Sequence, residues 1–227
     1  PQWPHFGQLM RYMNRTATLL SGGNAARPVA ILYHADAEWA GNAMPIERVA
    51  AELTRAQIDF DIVPAEAFED EERYEVSIAD GTLAVNSCRY QAPGALFIGA
   101  ATAEAVRCMM AAGVMTLAVD EVPCTLYDAD GAAELGGFTA TPLADVADAL
   151  TDAGLQTVVT DTPQPWLRAL RYERAGETYV MLVNEHPRES IRCTVALARG
   201  ERLRGTRLDL LNGTEPAAFD GALELES

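Results

Sequence analysis

Apolar and polar residues are ordered in two styles along this chain. From residue 25 to 162, short unbroken apolar runs alternate with stretches of helical spacing, whereas from 163 onward apolar and polar residues simply alternate. The first style is clearest around Arg27–Asp36. Arg27-Pro28 leads into five consecutive apolar or aromatic residues, Val29 to Tyr33, and the exit holds His34, Asp36, Glu38 and Trp39. An uninterrupted apolar run bounded by turn chemistry predicts a strand covered on both faces, as in a parallel sheet. A helix follows with Pro45 in its first turn and Ile46, Val49, Ala50 and Leu53 on one face. Asp59–Pro64 then reads as a second strand, completing a βαβ unit whose crossover is right-handed in nearly all sheets.

The same alternation continues. Ala95–Ile98, Val114–Val119 and Leu155–Val159 read as further strands of this kind. One helix is expected from Thr102, as N-cap, to Gly113, and another from Pro142 to Gly154. Between them, residues 73–86 alternate about Asp80-Gly81, which predicts a β-hairpin decorating the sheet. Repeated β-α alternation with buried strands predicts an α/β fold, a flavodoxin-like three-layer sandwich over residues 25–162. Residues 1–24 read as a linking helix from an upstream domain, with Phe6, Leu9, Met10, Met13, Ala17 and Leu20 at helical spacing before Gly22-Gly23. Residues 163–227 predict an antiparallel β-sandwich, with Arg168–Arg174 and Glu177–Asn184 flanking an Ala-Gly turn. This stretch is shorter than the roughly 100 residues of an immunoglobulin-type sandwich, so the domain reads as small or incomplete.

Composition narrows the classes. The 227 residues are 49% hydrophobic, enough for a sizeable core, and carry a formal charge of −16. That charge argues against nucleic acid and anionic membrane as partners, and no run approaches the ~18 apolar residues of a membrane span. All 17 basic residues are Arg, so Schiff-base, P-loop and phosphorelay lysines are excluded. Cys88, Cys108, Cys124 and Cys193 lack zinc-like spacing and read as buried or partly buried free thiols, which favours a reducing, cytoplasmic location. The chain starts without Met and ends inside a predicted strand, as a piece of a longer protein would.

In an open α/β sheet, ligands lie beyond the carboxyl ends of the strands. After Tyr33 a phosphate binder needs Gly-rich backbone donors. The loop offers His34, Asp36 and Glu38, whose carboxylates repel phosphate, so no nucleotide or flavin cofactor is expected. After Ile98 a hydrolase of this architecture would carry Ser or Cys on a strained elbow. Gly99-Ala100-Ala101-Thr102 stands there instead, and no catalytic residue is assigned. The remaining constellation is His34, Asp36, Glu38, Trp39 and Asn42. Carboxylates and an amide can bond sugar hydroxyls while an indole covers a pyranose face, which makes this loop a candidate carbohydrate site. The competing reading is a solvated loop with Trp39 packed on a neighbouring domain. A His-Asp-Glu metal site lacks a further ligand at suitable spacing, and no metal is expected. Asp120 and Glu121 stand at another strand's carboxyl end, where they are placed to touch a ligand or to start a loop, and the loop start is the preferred reading.

Several stretches taken together resemble a known arrangement. They are Pro1-Gln-Trp-Pro-His-Phe, Arg11-Tyr-Met-Asn-Arg, Leu19-Leu-Ser-Gly-Gly, Pro28-Val-Ala-Ile-Leu-Tyr, Arg89-Tyr90 leading into Ala95–Ile98, Leu170-Arg-Tyr-Glu-Arg, Glu177–Asn184 and, imperfectly, Asp209–Thr214. This set resembles the junction in large bacterial glycoside hydrolases where a catalytic (β/α)₈ barrel hands over to a domain similar to class I glutamine amidotransferases. The family 42 β-galactosidases, where it is the trimerisation domain, and α-L-rhamnosidase-like enzymes share it. The resemblance implies an amidotransferase-like domain followed by the start of a β-sandwich. It also implies a non-catalytic C-terminal region whose partners are the upstream barrel, carbohydrate and further copies of the chain. The catalytic carboxylates of such enzymes lie on the barrel, and none is carried over to this sequence.

Overall fold

The computed structural model describes residues 3–33, 35, 39, 44–90, 99–126, 128–198 and 202–226. Within them the chain is mixed α/β, with five α-helices and several small sheets and no closed barrel. It divides into two compact units: Ala26–Thr157, and Pro1–Ala25 together with Val158–Ser227.

The chain enters through a 3-10 turn, Trp3–His5, and the helix α1 (Phe6–Leu20), followed by the short strand β1 (Asn24–Ala25). No residue of α1 is buried. It is nonetheless part of the β unit rather than a free linker, because polar contacts fasten it. Arg15 donates to the carbonyls of Leu210 and Leu211, both at 2.8 Å. Arg174 donates to Thr18 O at 2.7 Å and Leu19 O at 3.0 Å, and the Tyr172 hydroxyl donates to Leu20 O. Carbonyls of a last helical turn have no partner within the helix, so cationic and hydroxyl donors settle there.

The α/β unit opens with β2 (Val29–Tyr33), whose first four residues are buried. Next come α2 (Ile46–Arg55), with Val49 and Leu53 buried, and β3 (Phe60–Pro64). β2 and β3 pair in parallel from Val29↔Phe60 to Tyr33↔Pro64, the expected βαβ unit. After a one-turn helix α3 (Glu66–Glu69), three antiparallel strands follow: β4 (Ser77–Ala79), β5 (Thr82–Val85) and β6 (Cys88–Tyr90). The Asp80-Gly81 turn takes φ of 50° and 71°, the left-handed values that favour Asp-Gly in a tight hairpin. The expected strand Ala95–Ile98 lies outside the described residues.

The helix α4 (Ala100–Ala111) starts two residues before the expected Thr102, with Gly99 as its N-cap. Thr102 is instead buried in the first turn, and its Oγ1 makes no hydrogen bond among the described residues. The Val114–Val119 run yields only β7 (Ala118–Val119), which pairs in parallel with a strand the sequence did not suggest, β8 (Ala140–Thr141). α5 (Leu143–Asp152) closes the unit. Two apolar clusters form its core. Leu32, Val63, Phe68, Leu83, Tyr90, Val106 and Met109 fill one, and Val29, Ile31, Leu53, Ile58, Val146 and Leu150 the other. Alternate residues of β2 thus supply both clusters, as a strand covered on two faces must.

The last apolar run of the first style behaves differently from its reading. β9 (Val158–Thr160) pairs antiparallel with β12 (Ile191–Leu197), so it belongs to the β unit and not to the α/β sheet. β10 (Leu167–Arg174) and β11 (Glu177–Asn184) form the expected hairpin through Ala175-Gly176, and β1 adds to the outer edge of β10. β12 also pairs with β15 (Ala222–Leu225), while β13 (Gly205–Arg207) and β14 (Ala217–Phe219) make a separate ribbon. Val158, Leu167, Ala169, Ile191, Val195 and Leu223 are the core of this unit.

Candidate functional site

Three strand exits were candidates, and the structure treats them differently. At the exit of β2, His34, Asp36, Glu38 and Asn42 lie outside the described residues. Trp39 is described and is 84% exposed.

After β7, Asp120 holds φ at 60°, a value that non-glycine residues seldom adopt. Its backbone N–H donates to Thr141 O at 2.8 Å, and its Oδ1 accepts from the Leu143 N–H at 2.7 Å. The carboxylate therefore caps α5, whose own N-cap residue, Pro142, has no side-chain acceptor. The loop-start reading of Asp120 stands, with a structural role added to it.

The start of α4 is the position where a hydrolase of related layout would seat a nucleophile. Gly99 offers no side chain, and Ala103 N–H returns to Gly99 O at 2.8 Å. The first free amide, Ala100 N–H, meets Asp128, whose Oδ1 and Oδ2 lie at 2.9 and 3.0 Å. A carboxylate of the chain itself thus caps the first amide of α4. Beside it is a shallow pocket of about 280 Å³ lined by Ala100, Ala103, Arg107, Leu126, Ala132 and Glu134. Its cation is already engaged, since Arg107 forms an ion pair with Glu104 at 2.7 Å. That pairing holds the Glu104 carboxyl below its usual range.

A titratable cluster that sequence reasoning missed lies at the opposite, amino-terminal edge of the parallel pair. Arg27 reaches Asp61 at 2.6 Å and Asp59 at 3.5 Å, and the Tyr90 hydroxyl donates to the second Asp61 oxygen at 3.1 Å. Burial raises the Asp59 carboxyl, opposed by the Arg27 guanidinium and by the N–H of Phe60. Burial likewise pushes the Tyr90 phenol far up. Arg27, Asp61 and Tyr90 bond one another here, which ties β2, β3 and β6 together, while the buried Asp59 Oδ2 meets Arg27 only as an ion pair and has no hydrogen bond among the described residues. The signal was present in Arg27 just before β2 and Asp59 just before β3. Parallel pairing with Val29 opposite Phe60 brings those positions side by side.

Among the described residues no three His, Cys, Asp or Glu converge as a metal site would require. All four cysteines are free, and Cys108 and Cys124 are exposed rather than buried. Among the described residues no helix is long and apolar enough to cross a membrane. The chain matches no known protein family, no curated protein and no solved structure.

Proposed function

We propose that this chain is a non-catalytic C-terminal region of a bacterial glycoside hydrolase. In this reading an amidotransferase-like, flavodoxin-like α/β domain and a β-sandwich support an upstream catalytic barrel and its oligomerisation. The observation that carries it is the Asp128 carboxylate on the Ala100 amide. At the one helix start where this architecture would place a nucleophile, the chain has Gly99-Ala100-Ala101 and fills the amide itself. Asp120 does the same at α5. Both carboxylates act as helix caps, and each takes up the first amide of its helix.

The reading is tested by the parent reading frame. Several hundred residues of βα repeats with a pair of separated carboxylates upstream of Pro1 are expected, and a start codon immediately before Pro1 contradicts it.

A second reading is a carbohydrate-binding module acting through residues 34–42. The 84% exposure of the Trp39 indole favours it, since an uncovered aromatic face is what a sugar ring stacks on. Titration calorimetry against mono- and oligosaccharides separates the two. Binding lost on Trp39→Ala supports the module, whereas binding indifferent to Trp39 removes it.

A further inference from the structure

The β10–β11 hairpin has two faces, and only one is fully used. Leu167, Ala169, Val180 and Leu182 point into the core of the β unit. Side chains alternate along a strand, so Arg168, Leu170, Tyr172 and Arg174 share the other face with their partners Val183, Met181, Tyr179 and Glu177. The turn end of this face is covered by the last turn of α1, through Tyr172 and Arg174. The far end is open: Leu170 is 41% exposed and Trp166 is 47% exposed.

Trp166 is positioned there by one backbone hydrogen bond and one ring contact. Glu185 N–H donates to Trp166 O at 2.9 Å, which extends the ladder one step beyond Leu167↔Asn184. Trp166 and Glu185 therefore stand opposite each other, on the same face as Arg168. The Arg168 Nε–Glu185 Oε2 ion pair at 2.7 Å agrees with that placement. The indole also packs at a right angle to His186, with centroids 5.2 Å apart. His186 is fixed in turn, because its Nδ1 accepts the N–H of Glu189 at 2.8 Å and of Arg188 at 3.3 Å. That leaves Nε2 as the donor nitrogen of the neutral ring.

We propose that this open end, Trp166 with Arg168, Glu185 and His186, is a binding site for a neutral saccharide. The indole supplies an apolar platform for the C–H face of a pyranose, Glu185 supplies an acceptor and His186 Nε2 a donor for its hydroxyls, and Arg168, paired with Glu185 at 2.7 Å and donating to Pro165 O at 3.2 Å, holds the carboxylate in place. Arg168 and Glu185 neutralise each other, and Glu189, whose Oε2 lies 3.9 Å from His186 Nε2, adds a negative charge at the edge that repels an anionic ligand. The chain's charge of −16 further disfavours acidic glycans. Preorganisation of the indole and imidazole lowers the ordering cost of binding. Saccharide binding here and any role of residues 34–42 are separate properties, and separate variants report on them.

The test titrates the full chain with lactose, cellobiose, maltose and L-rhamnose into the millimolar range, read by calorimetry and tryptophan fluorescence. At least one sugar is expected to bind. Trp166→Ala should weaken that binding at least tenfold, Glu185→Gln several-fold, and Trp39→Ala not at all. Should Trp166→Ala lose its far-ultraviolet dichroism, Glu185→Gln and Trp166→Phe carry the comparison. No heat with any of the four sugars overturns the proposal, as does binding that Trp39→Ala abolishes and Trp166→Ala leaves intact.

Discussion

Asp128 places both of its carboxylate oxygens on the amide of Ala100, at 2.9 and 3.0 Å. The contact joins a loop to the first turn of α4 across 28 residues. It satisfies one of the four amides that every helix start leaves open and puts a negative charge at the positive end of the helix. Asp128→Ala is expected to cost about 1 kcal/mol, with Asp128→Asn losing less because one acceptor oxygen remains. Urea denaturation of the two variants checks the order.

Asp120 combines a cap with a strained backbone. Asp120→Ala removes the acceptor for Leu143 N–H and keeps a Cβ at φ 60°, so it should destabilise by about 1–2 kcal/mol. Asp120→Asn keeps an acceptor and tolerates this conformation, and should lie near the parent. Asp120→Gly relieves the strain but loses the cap, which places it between them in thermal midpoint.

The attachment of α1 depends on a close approach at Gly23. A Cβ there would meet the carbonyl oxygen of Glu173 at 2.5 Å, a backbone atom that cannot swing aside. Gly23→Ala should therefore cost about 2 kcal/mol or more. Arg15→Ala, which removes both donors to the Leu210 and Leu211 carbonyls, should loosen α1 while sparing the α/β unit. Hydrogen exchange over residues 6–20 is expected to rise in both variants, with exchange in α4 unchanged.

The Arg27 cluster makes two predictions. Arg27→Met leaves Asp59, whose side chain is 10% exposed, without its cation. The cost should be about 2 kcal/mol, below the roughly 3–5 of a fully buried pair, because the Arg27 side chain is 35% exposed and water screens it. The pH dependence also has a definite sign. Burial raises Asp59 above its unfolded value, so its proton is held more tightly in the folded chain. That contribution is complete below the unfolded pKa of about 3.9 and disappears as pH rises through the folded value.

Asp161 runs the other way. The N–H of Thr194 donates to its Oδ1 at 2.9 Å and lowers its pKa, so its contribution is present above the unfolded value and lost as pH falls through the folded one. Relative to Asp59→Asn, the parent should lose stability as pH rises from about 3 to about 7. Relative to Asp161→Asn, it should gain. Slopes of the same sign for both variants would contradict this assignment.

Much of the fold was legible because its strongest signals are local. The βαβ unit followed from the unbroken run Val29–Tyr33, the amphipathic spacing of 46–53 and the second run at 60–64. The hairpins followed from Asp80-Gly81 and Ala175-Gly176. What failed was pairing, which is non-local. Val158-Val159 has the composition of a buried parallel strand, but it pairs antiparallel with β12, some 40 residues on, in the register Ala196↔Val159. The Ala140–Thr141 strand is too short to leave a pattern. Helix α1 read as a linker because its anchors, Arg15 and Tyr172, act through backbone carbonyls that periodicity does not reveal. At the candidate site, the absence of a nucleophile after Ile98 was legible from residue types alone. That Asp128 would occupy the vacant amide was not, because its partner is fixed only once the loop has folded over α4.

The central proposal is that this chain is a non-catalytic region that relies on an upstream domain for catalysis. Its most direct test is turnover of a panel of aryl-glycosides by the purified 227-residue chain, beside Asp36→Ala and Glu38→Ala. No turnover above the buffer rate is expected from any of the three proteins. Turnover by the parent that either substitution abolishes would show a working carboxylate pair in residues 36–38 and contradict the account.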